Sequence, residues 1–173
     1  SARLNPEATR VATGTGDFSA SLWDPLTGDL LRTFEHKHIV KSVDFTPDSR
    51  FLATGGAESR VRVFDLEAGP ADPPVLNLLL PAKVRKVLFL PCNPDLLLAA
   101  CEDGSLRAIR WRDAVAEEAA RFDGPVRDLE FCHVRAGGAD TRILSVAAGS
   151  KAYFFDVSPA GALTSKASFT VEK

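Results

Sequence analysis

The chain has 173 residues, 45% hydrophobic and 25% charged, with a formal net charge of −2. This is the balance of an ordinary globular domain with a real core, and it excludes a globally basic nucleic-acid binder while leaving room for a local basic patch. Its three cysteines, Cys92, Cys101 and Cys132, contain no CxxC pair and are odd in number, which argues against a disulfide framework or a zinc site.

Taken in chain order, short strand-like runs alternate with turn signals. Val11–Gly14 is a small-residue strand, Asp17 marks a turn, and a second strand ends at Trp23-Asp24. A loop with His36 and His38 leads into Val40-x-x-Val43-x-Phe45, followed by the turn Thr46-Pro47-Asp48, the small strand Leu52–Gly55, the turn residue Glu58 and the strand Val61–Asp65. After an insertion rich in Gly, Ala and Pro (Glu67 to Pro74), the series resumes. It runs through Val84–Phe89, Leu90-Pro91, Leu97–Ala100, Asp103 and Leu106–Ile109. Arg112 to Arg121 is the only stretch whose Ala and Glu content reads as helical, but it falls where an outer strand or loop belongs. The last unit runs Val126–Phe131, a second insertion at Arg135 to Asp140 with a Gly137-Gly138 turn, Ile143–Val146, Gly149 and Ala152–Asp156.

These runs repeat. Trp23, Phe64, Ile109 and Phe155 are spaced by 41, 45 and 46 residues, and the turn residues Asp17, Glu58, Asp103 and Gly149 keep the same spacings. A second series, Val40, Val84 and Val126, is spaced by 44 and 42. Two series in one register exclude a β-sandwich with fortuitous spacing. Units of about 40–45 residues with four short strands are the size of a propeller blade. The expected fold is all-β, a partial WD-repeat β-propeller. Its units are residues 1–35 (the last three strands of a blade), 36–80, 81–122 and 123–173.

In such a blade a Thr or Ser, an acid, a Trp and an upstream His form a buried hydrogen-bond chain that satisfies polar groups otherwise costly to bury. The first unit offers Thr13, Asp17 and Trp23, and its His would precede Ser1. The second offers His36, Thr54 and Glu58, but Phe64 has no N–H to donate. The third and fourth, with Ala99 and Ile109 and then Ser145 and Phe155, are left to apolar packing.

The run from Leu4 through Thr13-Gly-Thr-Gly-Asp17 to Trp23-Asp24, and above all His36-Lys-His-Ile-Val-Lys41, resembles the serine-threonine kinase receptor-associated family of WD-repeat proteins. The likeness is strong over residues 4–66. It fades through Asp103-Gly-Ser-Leu-Arg107 and Gly149 to Phe155, and both insertions depart from the pattern. The resemblance implies a seven-bladed propeller of the cytoplasm and nucleus, of which this chain would hold about four blades. It also implies membership of the survival-of-motor-neuron complex that assembles spliceosomal ribonucleoproteins for mRNA splicing, and inhibition of transforming-growth-factor-β receptor signalling. The neighbouring family is the propeller subunit of a eukaryotic translation initiation factor complex, and the His36 to Lys41 run favours the first.

Propellers bind partners at strand ends and loops. Lys41, Arg85 and Arg127 each follow the first valine of an inner strand, so they fall on one rim, with Lys83 on the same side by alternation and Glu102 close by. Two readings stay open: a basic arc for an acidic or phosphorylated segment, or a solvated rim salt-bridged to acids such as Glu102. Catalysis has little to stand on. His36, His38 and His133 meet no nucleophile motif, and Gly14-Thr-Gly16 precedes a strand, so it is no phosphate cradle. No cofactor, metal or small-molecule substrate is expected. Direct RNA binding is the alternative of another class, and it needs aromatic platforms beside the arc. The longest apolar stretches are too short to span a bilayer, and no signal peptide shows, so an intracellular chain is expected, with no membrane partner. The chain starts at Ser1 and lacks methionine, as a trimmed piece of a longer protein would. Its open sheet edges are therefore expected to be covered by flanking sequence rather than by a second copy.

Overall fold

The computed structural model describes the backbone of residues 1–136 and 139–170, and the side chains of those residues apart from 134–140. It is all strand. Four antiparallel four-stranded sheets follow one another along the chain. Sheet one holds β1 (Ala2–Leu4), β2 (Val11–Gly14), β3 (Ser19–Trp23) and β4 (Leu30–Glu35). Sheet two holds β5 (Val40–Phe45), β6 (Phe51–Gly56), β7 (Arg60–Asp65) and β8 (Leu76–Leu79). Sheet three holds β9 (Val84–Leu90), β10 (Asn93–Cys101), β11 (Ser105–Arg110) and β12 (Val115–Arg121). Sheet four holds β13 (Val126–Ala136), β14 (Ala139–Ala148), β15 (Lys151–Val157) and β16 (Leu163–Thr170).

Each sheet is a meander whose first strand packs against the first strand of the next, so β1, β5, β9 and β13 line one side of the arc. The first sheet has four strands where three were expected. Ala2–Leu4 pairs with β2 in the register Ala2↔Thr13, but three residues are too few to show an alternating pattern in sequence. The Ala- and Glu-rich stretch forms the outer strand β12, exposed along most of its length and paired with β11. The second insertion lengthens β13 and β14 into a long pair that still matches Arg135 with Asp140, and the Gly137-Gly138 turn lies outside the described residues.

The core lies between the blades. One cluster joins blades one and two around Val43, Leu52 and Phe64. A second joins two and three around Val61, Val87, Phe89 and Trp111, and a third joins three and four around Leu98, Leu129 and Leu144. Small residues permit this stacking. A Cβ on Gly55 would come within 2.7 Å of Val84 Cγ1, so the second blade can approach the third only without one. The turn after each second strand needs a left-handed residue. Gly104 takes it freely at φ 83°, while Phe18 and Ser59 adopt it at φ 68° and 59°.

Candidate functional site

The three basic rim residues share a backbone feature. In blade two the pairing passes from Val40↔Gly56 to Ser42↔Gly55 and skips Lys41. In blade three it passes from Val84↔Cys101 to Lys86↔Ala100 and skips Arg85. In blade four it passes from Val126↔Ala148 to Asp128↔Ala147 and skips Arg127. Each basic residue is therefore the extra residue of a β-bulge, a device that bends a strand and re-aims one side chain away from its ladder. Simple alternation does not hold here. Lys83 precedes β9, and the structure sets it at the strand's entry, where its carbonyl accepts the Glu102 N–H at 2.9 Å.

Glu102 sits where two blades meet. Its Oε1 accepts from Lys41 Nζ of blade two at 2.7 Å and lies 3.0 Å from Arg85 Nε of its own blade. The Lys41 hydrogen bond, aided by the charges of Arg85 and Lys83, holds the carboxyl below the usual range. Lys86 reaches the next blade at Asp128, 2.8 Å away. Arg127 is exposed and makes no ion pair or side-chain hydrogen bond among the described residues. The rim is thus part neutralised and part open.

The polar chains inside the blades are shorter than the sequence suggested. In blade one Trp23 Nε1 donates to Thr13 Oγ1 at 2.8 Å. Asp17 stands apart from that pair and accepts instead from Thr15 and from Ser19 Oγ within its own turn. In blade two His36 Nδ1 lies 2.9 Å from the Phe34 carbonyl and Nε2 lies 2.9 Å from Thr54 Oγ1. A carbonyl can only accept, so Nδ1 carries the proton and Nε2 accepts from the threonine. Glu58 takes the N–H groups of Lys37 and His38 and pairs with Arg62, two residues before Phe64. Arg62 thus adds a donor to this blade through Glu58 and not through Thr54, the counterpart of the hydroxyl that Trp23 reaches in blade one. Sequence reading missed it, although a charge between two buried valines was the available signal.

Burial, and secondarily the Arg62 charge, lowers the His36 pKa below its ordinary 6.5, so the neutral ring is favoured in the fold. The stability this contributes is fully present above the unfolded value and is lost as pH falls below it toward the folded one. The thermal midpoint is therefore expected to drop as pH is lowered from about 7 to about 5, with a shallower drop in His36→Gln. Equal slopes in the two proteins would remove His36 as the cause.

On the concave side the inner strands enclose a groove of about 650 Å³ lined by Arg3, Asp44, Leu88 and Glu130, one from each. Asp44 ties three blades together. It accepts from Arg3 Nε of blade one at 3.1 Å and from the Phe89 N–H of blade three at 2.8 Å. Ser42 Oγ likewise accepts the Val87 N–H at 3.1 Å. These two side chains cap the free inner edge of β9, whose N–H groups would otherwise be buried without partners. Desolvation raises the Asp44 pKa, against the hydrogen bonds it accepts.

Burial pushes the Cys101 thiol up to about 11, so it stays protonated and packs as a small apolar group. Among the described residues no group of three His, Cys, Asp or Glu side chains is placed to hold a metal. Among the described residues no helix is long and apolar enough to cross a membrane.

Comparison with known proteins agrees with this architecture. The WD domain, G-beta repeat family matches residues 28–65. The chain is 37% identical over 132 residues to the human serine-threonine kinase receptor-associated protein, covering 75% of this chain and 36% of that protein. The Gallus gallus protein of the same name is 51% identical over 76 residues, covering 44% of the chain and 22% of the relative. Eukaryotic translation initiation factor 3 subunit I of Phaeosphaeria nodorum is 30% identical over 112 residues, 60% of the chain and 34% of the relative. The chain thus spans about a third of the length of these longer relatives. With four stacked four-stranded blades and a repeat-family match across the junction of the first two, the chain is a partial WD-repeat β-propeller, similar to the serine-threonine kinase receptor-associated proteins.

Proposed function

We propose that this chain is part of a non-catalytic scaffold that gathers protein partners, one of which lays an acidic or phosphorylated segment on the rim of Lys41, Arg85 and Arg127. The observation that carries the reading is the bulge: three adjacent blades place a cation at the one unpaired residue of the inner strand. By likeness to the serine-threonine kinase receptor-associated proteins, the complex is the survival-of-motor-neuron assembly that builds spliceosomal ribonucleoproteins. The protein then works in cytoplasm and nucleus, and it also damps transforming-growth-factor-β receptor signalling. The similarity to initiation factor 3 subunit I supports a second reading, a place in a translation initiation complex. Affinity purification of the intact protein separates the two. Recovery of ribonucleoprotein-assembly subunits supports the first, and recovery of initiation-factor subunits replaces it with the second.

Direct RNA contact has one feature in its favour. Phe18 is 44% exposed and its ring lies 5.4 Å from that of His38, so an aromatic pair stands open on the surface. A salt-sensitive RNA gel shift that is lost in Phe18→Ala would support that role.

A further inference from the structure

The position just before the turn residue (Asp17, Glu58, Asp103 or Gly149) is Gly16, Ala57, Glu102 and Ala148 in the four blades, so only the third carries a charge there. That charge is spent on the rim. Lys41 and Arg85, from neighbouring blades, converge on the single oxygen Oε1 of Glu102. The Glu102 peptide N–H is fixed on the Lys83 carbonyl, which holds the carboxylate in place from below. The protein therefore displays a bound carboxylate at the spot where two blades present cations, while Arg127, at the equivalent bulge of the next blade, has no partner among the described residues.

We propose that Glu102 is a built-in competitor that sets an affinity threshold on this rim, high enough that a phosphorylated segment displaces it and a merely acidic one does not; the inference rests on the reading of the rim as a site for anionic segments. A tethered carboxylate competes at an effective concentration on the order of millimolar. A partner's Asp or Glu brings the same single charge and the same two oxygens, so the exchange gains nothing and still costs association entropy. A phosphate monoester brings a charge of about −1.5 to −2 and three strong acceptor oxygens. It can hold the Lys41 ammonium and the Arg85 guanidinium together and leave an oxygen for Lys83 or Arg127.

The test is a fluorescence titration of the intact protein with a labelled Gly–Ser peptide carrying one phosphoserine, and with the same peptide carrying Glu in its place. The phosphopeptide is expected to bind at least about tenfold tighter than the Glu peptide, a difference of about 1.4 kcal/mol. Glu102→Gln, and Glu102→Ala as a second variant, should tighten both peptides by a similar factor of about tenfold or more, since a tethered competitor weakens every ligand of the same cations alike. Equal binding of the two peptides to the unaltered protein, or unchanged affinity for both peptides in both Glu102 variants, overturns the competitor role. Arg85→Glu with Arg127→Glu in the same titration separates the levels. If it abolishes binding while the Glu102 variants change nothing, the rim reading stands and the competitor falls. If it changes nothing, the rim reading itself falls. Tighter binding of a uridine oligonucleotide than of the phosphopeptide would assign the rim to RNA and overturn the proposal.

Discussion

Trp111→Ala is expected to destabilise the protein by about 4 kcal/mol, seen as a lower urea midpoint with little change in slope. Trp111 directly follows β11 and is 3% exposed. Its ring lies 4.8 Å from that of Phe51 in blade two and 6.1 Å from that of Phe89 in blade three, so it fills the seam between them. Its indole N–H donates to the Pro94 carbonyl at 2.9 Å, and Arg112 covers the ring at 4.3 Å. Truncation removes a large buried surface from the middle of the aromatic cluster that spans this junction, and the blades on either side are too stiff to collapse into the gap. Trp111→Phe keeps most of the volume and should cost about half as much or less. A loss under about 1 kcal/mol for the alanine variant would show that this seam does not hold the two blades together.

Asp44→Ala is expected to cost about 2 to 3 kcal/mol. The carboxylate is 7% exposed and serves blades one and three from blade two. Removing it leaves the buried Phe89 N–H without an acceptor, which is the larger part of the loss. Arg3 is about a third exposed in its side chain, so water replaces much of what it loses. Asp44→Asn keeps an oxygen for the Phe89 N–H but turns no charge toward Arg3, so it should recover about half of the loss. Equal midpoints for Asp44→Ala and the unaltered protein would mean that the inner edge of β9 finds another acceptor.

The blade repeat was legible because two independent spacings, one of aromatic or aliphatic strand ends and one of inner-strand valines, keep one register. The alignment of Lys41, Arg85 and Arg127 was legible for the same reason. The bulges were not, because which residue is left over depends on how two strands pair, and nothing in the pattern Val-Lys-Ser-Val announces it. Lys83 was expected on the inner strand but lies just before it, where alternation gives no side-chain direction, although its charge still acts on Glu102. Asp17 was assigned to the Trp23 chain by position, yet hydroxyls two residues to either side, on Thr15 and Ser19, engage it first, as local side-chain bonds commonly do in turns. Asp44 was passed over because it looked like an ordinary polar residue on an alternating strand. Its role rests on the edge of a strand 45 residues away. Glu102 was expected near the rim, but that one oxygen would collect cations from two blades is a fact of blade packing that one strand cannot show.

The central claim is that the bulge-borne cations capture a partner. Reversing two of them tests it most directly: Arg85→Glu with Arg127→Glu, in the intact protein, should lose most of the partner recovered in a pull-down while its thermal midpoint falls only modestly, since Arg127 is exposed and half-buried Arg85 gives up one ion pair, to Glu102. A folded double variant that captures its partner undiminished would contradict the account.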